Sequence, residues 1–306
     1  MSITEARAMV DELNFDGPVL IIGGPYGNLE ATRAVLAAGA ALGIPAERTI
    51  CTGDVVAYCA DPAATVAAIR AAGVRVVMGN VEQALGADAS DCGCDFPADS
   101  AAKADARSWY AFAGAEIDAD ARRWMAGLPG AIHFTLGRRR LVAVHGAPSR
   151  INHALYASSP APDITAEIAA SGCDGVITGH CGLPFTRVID GRLWVSAGAV
   201  GMPANDGTPR TWFALLQPDA DGILVEHRAL GYDHRRAAAK MRARGLPEGY
   251  ARALETGLWP NPDILPAVEK AGGGIALAPE PVAWGNRAAL SATAEQGPLS
   301  GVGARR

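Results

Sequence analysis

The first third of the chain alternates short apolar runs with helical stretches, and this alternation constrains the fold more than any other feature. Apolar runs at 19–23, 48–51 and 74–78 have the length of buried strands, and the stretches 29–42 and 61–72 between them are typical of helices. Strand–helix–strand units connect parallel strands by right-handed crossovers. The pattern therefore predicts an α/β fold with a largely parallel sheet in this region.

The second half of the chain favours hairpins. Two β runs at 131–136 and 140–144 flank Arg138, Arg139 and Arg140, which we expect to mark a hairpin turn with solvated charges. Four further runs predict an antiparallel meander, with Asp-Gly turns after the first and third: 186–189, 192–196, 211–216 and 223–228. Two packed sheets with helices outside fit both halves.

The predicted organisation has three parts. Residues 1–231 form the main domain, residues 232–275 form a C-terminal helical extension that could dock a second copy, and residues 276–306 form a flexible tail rich in Gly, Pro and Ala.

Composition excludes several classes of protein. No run approaches the roughly 18 to 20 apolar residues of a membrane span, and the acidic N-terminus lacks the pattern of a signal peptide, so we expect a cytoplasmic protein without a membrane partner. The formal net charge of −5 argues against nucleic acid as the main partner. The six cysteines are expected to be mostly thiols in such a chain. A small molecule is the expected substrate.

Polar residues follow the predicted strands at their carboxyl ends, where ligands gather in open α/β sheets. Four of these strand ends carry a side chain of a metal-ligand type beside a glycine: Asp54, Asn80, His145 and His180. Two imidazoles, a carboxylate and an amide oxygen suit Mn, Fe, Zn or Co better than Ca or Mg. The sequence therefore predicts a transition-metal site.

The order of these motifs resembles the calcineurin-like metallophosphoesterases, especially their small bacterial phosphodiesterase-like branch. The resemblance spans roughly residues 17 to 230, and its segments are "CTGDVVAYCADP", "VVMGNVEQAL", "VAVHGAPS", "ITGHCGLPF" and "SAGAVGMPANDGTPR". It implies a four-layer α/β/β/α sandwich with two mixed β-sheets and a site above the inner sheets.

Members of that family hold two metals bridged by a carboxylate. The resemblance assigns the bridging role to Asp54 and the remaining ligands of the second metal to Asn80, His145 and His180. It thus implies at least one divalent or trivalent metal, Fe, Mn or Zn.

The ligands that bind only the first metal in the family are replaced in this sequence. Their positions fall on Gly24, Tyr26 and Gly182, and the family histidine that stabilises the leaving group falls on Val81. A substrate group, a water cluster or a differently ligated metal could occupy this half of the site, so a second metal is left open. Tyr26 could bind Fe(III) as a phenolate, or it could pack in the pocket.

Further candidates surround this core. Glu82 keeps the acidic residue that follows the replaced family histidine at Val81, and it is expected to orient one of the metal-binding histidines. Cys92 and Cys94 lie in a polar loop that could bind metal, with Cys59 or Cys181 nearby, form a redox pair, or serve as a lid. Possible pocket residues complete the set: Asn28, His153 and Arg210, the last for negative charge on a substrate.

The favoured function is a metal-dependent hydrolase that acts on a phosphate ester or anhydride through an atypical site, which could hold a single metal. Two alternatives remain open. One is a non-haem iron enzyme with redox chemistry on the same scaffold, because two histidines and one carboxylate suit that use. The other is a degenerate phosphoesterase that binds a ligand without turnover.

Overall fold

The computed structural model describes residues 13–94, 96–220 and 222–285, and within them the chain forms twelve strands and nine helices. The strands are β1 (Leu13–Phe15), β2 (Val19–Ile22), β3 (Thr49–Cys51), β4 (Arg75–Val76), β5 (Ala131–Leu136), β6 (Arg139–Val144), β7 (Gly175–Thr178), β8 (Pro184–Ile189), β9 (Arg192–Ala197), β10 (Thr211–Pro218), β11 (Gly222–Leu230) and β12 (Val282–Gly285). The helices are α1 (Leu29–Ala41), α2 (Pro62–Ala71), α3 (Asn80–Gly86), α4 (Ala101–Glu116), α5 (Ala119–Ala126), α6 (Ala161–Ser171), α7 (His234–Ala243), α8 (Glu248–Thr256) and α9 (Ala267–Ala271).

The strands form two mixed six-stranded sheets. The first has the order β1-β5-β6-β7-β9-β8, and the second has the order β12-β11-β10-β2-β3-β4. In the second sheet β2, β3 and β4 are parallel, as the alternation predicts, while β10 joins β2 antiparallel. The predicted α/β class with two mixed sheets is confirmed.

The sheets pack face to face around one apolar layer, and helices cover their outer faces. Ile21 and Leu216 from the second sheet meet Phe134 and Val195 from the first in this layer. Helix α6 packs on the outside of the first sheet, while α1 to α5, α7 and α8 contribute to the core on the outside of the second. The layer order is therefore α/β/β/α.

The predicted antiparallel meander is wrong, because its four strands belong to different sheets. Strands β8 and β9 pair through the Asp190-Gly191 turn in the first sheet, whereas β10 and β11 pair in the second. Asp221, in the other predicted turn, lies outside the described residues. Alternation of apolar residues marks each strand but does not choose its partner. The long connection between β9 and β10 crosses from one sheet to the other.

The C-terminal segment is more integrated than the sequence suggests. Ala238 and Met241 of α7 and Leu254 of α8 lie in the same apolar core as α1 and α2. Part of the segment predicted as a flexible tail is β12, which pairs with β11 and buries Trp284 between the sheets. Residues 286–306 lie outside the described residues.

Among the described helices, none combines the length and the apolar character needed to cross a membrane.

Candidate metal centre

Four polar side chains meet where strands of both sheets end. Asp54 follows β3 and Asn80 opens α3 after β4, while His145 follows β6 and His180 follows β7. One ligand atom from each of Asp54, His145 and His180 lies within 4.8 Å of the others. The structure therefore brings together the four residues that the sequence singles out, two from each sheet.

His145 is the centre of this cluster. Its Nε2 atom is 2.9 Å from Asn80 Oδ1, 3.0 Å from His180 Nδ1 and 3.3 Å from Asp54 Oδ2. Its Nδ1 atom is 2.6 Å from the carbonyl oxygen of Thr52. A carbonyl can only accept, so Nδ1 carries a hydrogen and Nε2 of the neutral ring presents its lone pair to the cluster.

The chemistry of these atoms fits a bound cation. Asn80 Nδ2 donates to the carbonyl of Cys92 over 2.8 Å, which turns its amide oxygen toward His145. An amide oxygen, a carboxylate oxygen and imidazole nitrogens thus converge, and all of them can donate a lone pair to a metal. A histidine whose other nitrogen donates to a backbone carbonyl is the usual arrangement of a metal ligand. The cluster suits Mn, Fe or Zn.

Glu82 holds the turns beneath Asp54 rather than a histidine. Its Oε2 atom accepts from the backbone N–H groups of Asp54 over 2.8 Å and Gly79 over 2.9 Å, and its Oε1 atom accepts from Val55 over 2.8 Å. The side chain is fully buried. Glu82 therefore fixes the position of Asp54 through the backbone, which differs from the predicted contact with a histidine.

The two turns that carry Asp54 and Asn80 require glycine. Gly53 has φ +94°, and a Cβ atom there would lie 2.7 Å from the backbone nitrogen of Gly79. A Cβ on Gly79 would lie 2.5 Å from Asp54 Oδ1. Asp54 itself has φ +54°, a conformation that non-glycine residues seldom adopt. The glycines beside the polar residues thus allow the two turns to pack against each other.

The cluster favours an ionised Asp54. Burial alone would raise the pKa of this carboxyl, but His145 and His180 outweigh it and hold the pKa below its ordinary value. Burial likewise opposes charge on His145, yet the contact with Asp54 raises the pKa of that imidazole. Burial and the neighbouring His145 lower the pKa of His180 to about 4. Burial and then Asp54 raise the pKa of Glu82 to about 7.

The Tyr26 ring fills the side of the site where the family resemblance predicts missing ligands. A Cβ on Gly24 would lie 2.2 Å from Tyr26 Cε1, so the ring takes the space of a side chain at position 24. A Cβ on Gly182 would lie 3.9 Å from the Tyr26 hydroxyl and 3.3 Å from the Trp259 ring. The ring packs edge-on against Tyr58 at a centroid distance of 4.9 Å. Burial raises the pKa of the Tyr26 phenol well above its ordinary value, which opposes a phenolate.

A cavity of about 660 Å³ opens over the cluster, with Asp54 and His180 in its wall. Six aromatic side chains line it: Tyr26, Tyr58, Phe96, Tyr156, Tyr250 and Trp259. Arg150 and His153 add basic groups, and Asp263 adds an acidic one. The volume is that of a small-molecule site.

The cysteine loop supports Asn80. Besides the bond to the Cys92 carbonyl, Asn80 Nδ2 lies 3.6 Å from Cys94 Sγ, and the backbone N–H of Cys94 is 3.3 Å from Cys92 Sγ. Cys94 lines the cavity. All six cysteines are free thiols, and within the described ranges the cluster of metal-ligating side chains contains no sulfur.

Two of the predicted pocket residues serve the scaffold instead. Asn28 caps α1, because its Oδ1 accepts from the Ala31 N–H over 3.1 Å, while its Nδ2 donates to the Gly201 carbonyl over 3.0 Å. Arg210 pairs with Asp206 at 3.2 Å and lies 4.8 Å over the Trp212 ring. Neither residue lines the cavity, and Cys92 does not line it either, whereas Tyr26, Cys94 and His153 do.

Several residues of the cavity wall were not predicted from the sequence. Arg150 lies five positions after His145 in "HGAPSR", and that proximity could have suggested it. Tyr250 and Trp259 come from the C-terminal segment, 70 and 79 residues after His180 in the sequence. No local pattern in the sequence marks these two residues.

Comparison with known families identifies the group to which this site belongs. The sequence profile of the calcineurin-like phosphoesterase superfamily domain matches residues 27–221, which is more than half of the chain. The chain belongs to the calcineurin-like phosphoesterase superfamily. No curated protein sequence matches it.

Two solved structures share the fold of this calcineurin-like phosphoesterase. Hypothetical protein PH1004 from Pyrococcus horikoshii OT3 superimposes with a TM-score of 0.67 at 18% identity, covering 79% of this chain and 99% of its own. A metallophosphoesterase from Sphaerobacter thermophilus gives a TM-score of 0.62 at 23% identity, covering 81% of this chain and 100% of its own. At these identities the likeness establishes the fold alone.

Family and geometry agree on the general activity. The calcineurin-like phosphoesterase described here is a metal-dependent phosphoesterase of the hydrolase class, and Asp54, His145 and His180 form a possible metal site in it.

Proposed function

We propose that this protein hydrolyses a phosphate ester or anhydride of a small molecule with a single transition-metal ion held by Asp54, Asn80, His145 and His180. The convergence of their lone-pair atoms around His145 Nε2 carries the proposal. The cavity above the cluster supplies room for a small substrate.

The restriction to a single ion rests on the residues opposite this cluster. Gly24 and Gly182 offer no ligand atom, and the buried ring of Tyr26 lies between them. The chain therefore retains the ligands for the second metal of the family site and replaces those for the first.

The residues of the cavity divide the remaining tasks. A metal bound by the cluster would lower the pKa of its water and polarise a phosphoryl oxygen. Arg150 would contact the negative charge of the substrate, because a guanidinium matches the geometry of phosphate oxygens. Tyr26, Tyr58 and Trp259 would exclude bulk water from the reacting centre.

A second candidate function follows from the donor set itself. Asp54, His145 and His180 amount to two histidines and one carboxylate, the set that non-haem iron oxygenases use. In this hypothesis the same residues bind the metal, but the reaction is a redox reaction instead of hydrolysis.

The test uses protein loaded separately with Mn(II), Fe(II) and Zn(II). Hydrolysis of bis(p-nitrophenyl) phosphate, p-nitrophenyl phosphate and ATP is measured for the wild type and for His145→Ala, with His234→Ala as a control outside the cavity. We expect hydrolysis of at least one substrate that His145→Ala abolishes and His234→Ala keeps. Oxygen consumption with iron and no hydrolysis would favour the redox function. Metal binding without either activity would favour a degenerate binding protein.

Further expectations from the sequence remain predictions: cytoplasmic localisation, no nucleic acid as main partner, no membrane partner, and a C-terminal extension that could dock a second copy.

A further inference from the structure

We propose that His153 is the general acid that protonates the leaving group, and that the buried Glu167 positions it. The proposal rests on the proposed function and adds a residue to it.

His153 lies on a loop that is fixed beside the metal centre. It lines the same cavity as Asp54 and His180. The backbone of its neighbour Asn152 hydrogen-bonds His180, and Asn152 Nδ2 donates to the carbonyl of Gly93 over 2.9 Å. The loop that carries His153 therefore contacts both a metal-ligand candidate and the loop that supports Asn80.

The Nδ1 atom of His153 lies beside the carboxylate of Glu167. His153 Nδ1 is 3.3 Å from Glu167 Oε1 on α6, and the Glu167 side chain is largely buried. Ser149 holds the carboxylate, since its backbone N–H donates to Oε2 over 3.0 Å and its hydroxyl donates to Oε1 over 2.5 Å. A carboxylate at Nδ1 keeps the hydrogen on that nitrogen and leaves Nε2 to exchange a proton.

Other side chains of the cavity are poorer acids. Burial raises the pKa of the phenols of Tyr26, Tyr58, Tyr156 and Tyr250. The hydrogen bond with Cys92, together with burial, raises the pKa of the Cys94 thiol.

Position 81, next to Asn80, offers no acid either, because Val81 is apolar and buried. His180 belongs to the metal cluster. Histidine is the side chain that most often acts as a general acid in enzymes, so His153 is the lining residue suited to the task.

The proposed step transfers one proton from His153 to the leaving group. A water oxygen attacks phosphorus and forms a new P–O bond while the P–O bond to the leaving group breaks. The electron pair of the broken bond stays on the leaving oxygen, which takes the proton from His153 Nε2. The attacking water releases one proton to solvent, and His153 regains one from solvent. The products are an alcohol and a phosphate with one ester bond fewer.

The dependence on the leaving group tests the step. The departing oxygen of diphenyl phosphate needs a proton more than that of bis(p-nitrophenyl) phosphate, because phenolate is the poorer leaving group. General acid catalysis contributes on the order of 10² to 10⁴ in rate. In metal-loaded His153→Gln, we expect kcat to fall about 100-fold or more on diphenyl phosphate and only several-fold on bis(p-nitrophenyl) phosphate. Metal content and the thermal midpoint stay at the wild-type values, as do all parameters of the control His234→Gln.

Equal losses on both esters, or no loss, would overturn the role of His153 while the wild-type activity upholds the proposed function. A wild type that cleaves neither these two esters nor p-nitrophenyl phosphate nor ATP with any of the metals would reject the proposed function itself, and the inference with it.

A second readout does not depend on activity. In the ¹⁵N NMR spectrum of the full-length chain above neutral pH, we expect His153 to hold its hydrogen on Nδ1 and to lose this preference in Glu167→Gln. The same variant lowers kcat and leaves KM within a few-fold of the wild type. A wild-type His153 protonated on Nε2 instead, or a tautomer unchanged in Glu167→Gln, would contradict positioning by Glu167.

Discussion

Gly24 and Tyr26, at positions where the family resemblance predicts ligands of the first metal, depend on each other sterically. The Tyr26 ring takes the space that a side chain at position 24 would need, so a glycine at 24 and an aromatic ring at 26 belong together. The sequence predicts that ligands are missing at these positions, but it does not predict which group occupies their space. The choice between a packed ring and a phenolate depends on burial, which a short motif does not encode.

Gly24→Ala tests this dependence. We expect it to lower the free energy of unfolding by about 1–3 kcal/mol, because the added methyl group overlaps the Tyr26 ring. In a Tyr26→Gly background the same change should cost less, with a coupling energy of about 1 kcal/mol or more in a double-mutant cycle.

Urea unfolding of the four proteins measures the cycle. Gly130→Ala is the control, because a Cβ there meets no atom within 4 Å. Additive effects of the two substitutions would mean that the ring does not occupy the space beside Gly24.

At the scale of elements, the buried Glu82 joins the turn after β3 to the first turn of α3. Glu82→Gln leaves one acceptor oxygen for three backbone N–H groups and turns an amide donor toward one of them. We expect a loss of about 1–3 kcal/mol in the free energy of unfolding, the cost of an unsatisfied buried donor.

Denaturant titration compares this variant with Glu47→Gln, which changes an exposed carboxylate in the same way. Equal stability of the two variants would show that the three hydrogen bonds to Glu82 contribute little.

Strand β12 gives a second prediction at this scale. Trp284 is 1% exposed, donates through Nε1 to the Gly191 carbonyl and lies under the Arg139 guanidinium at 4.7 Å. Trp284→Ala should lower the free energy of unfolding by about 3–5 kcal/mol.

The exposed Ile275 provides the control, since Ile275→Ala should change stability by less than about 0.5 kcal/mol. A cost for Trp284→Ala no larger than that of the control would indicate that β12 does not belong to the core.

The elements also show how far the sequence could predict this molecule. The spacing of apolar residues and the helix caps predict strands β2 and β3 and the helices that follow them. The polar cluster is predicted because parallel strands end at the same edge of a sheet. The pairing of β9 with β7 rather than β10 could not be predicted, because partner choice depends on contacts far apart in the chain. Trp284 marks the other failure, since a Gly- and Pro-rich composition conceals a short edge strand.

At the scale of the whole molecule, the site lies on the junction between two sheets. The second sheet supplies Asp54 and Asn80, and the first supplies His145 and His180. The segment after β11 then closes the cavity with Tyr250 and Trp259. The ligand cluster therefore forms only when both sheets pack, which couples metal binding to the folded state.

The number and position of bound metal ions decide whether the site is mononuclear. Protein purified without added metal is analysed by mass spectrometry of the elements, and anomalous scattering from its crystals locates the ions. We predict about one transition-metal ion per chain, bound by Asp54, Asn80, His145 and His180. This ion should be lost in His180→Ala. About two ions per chain, with the second beside Tyr26, would contradict it.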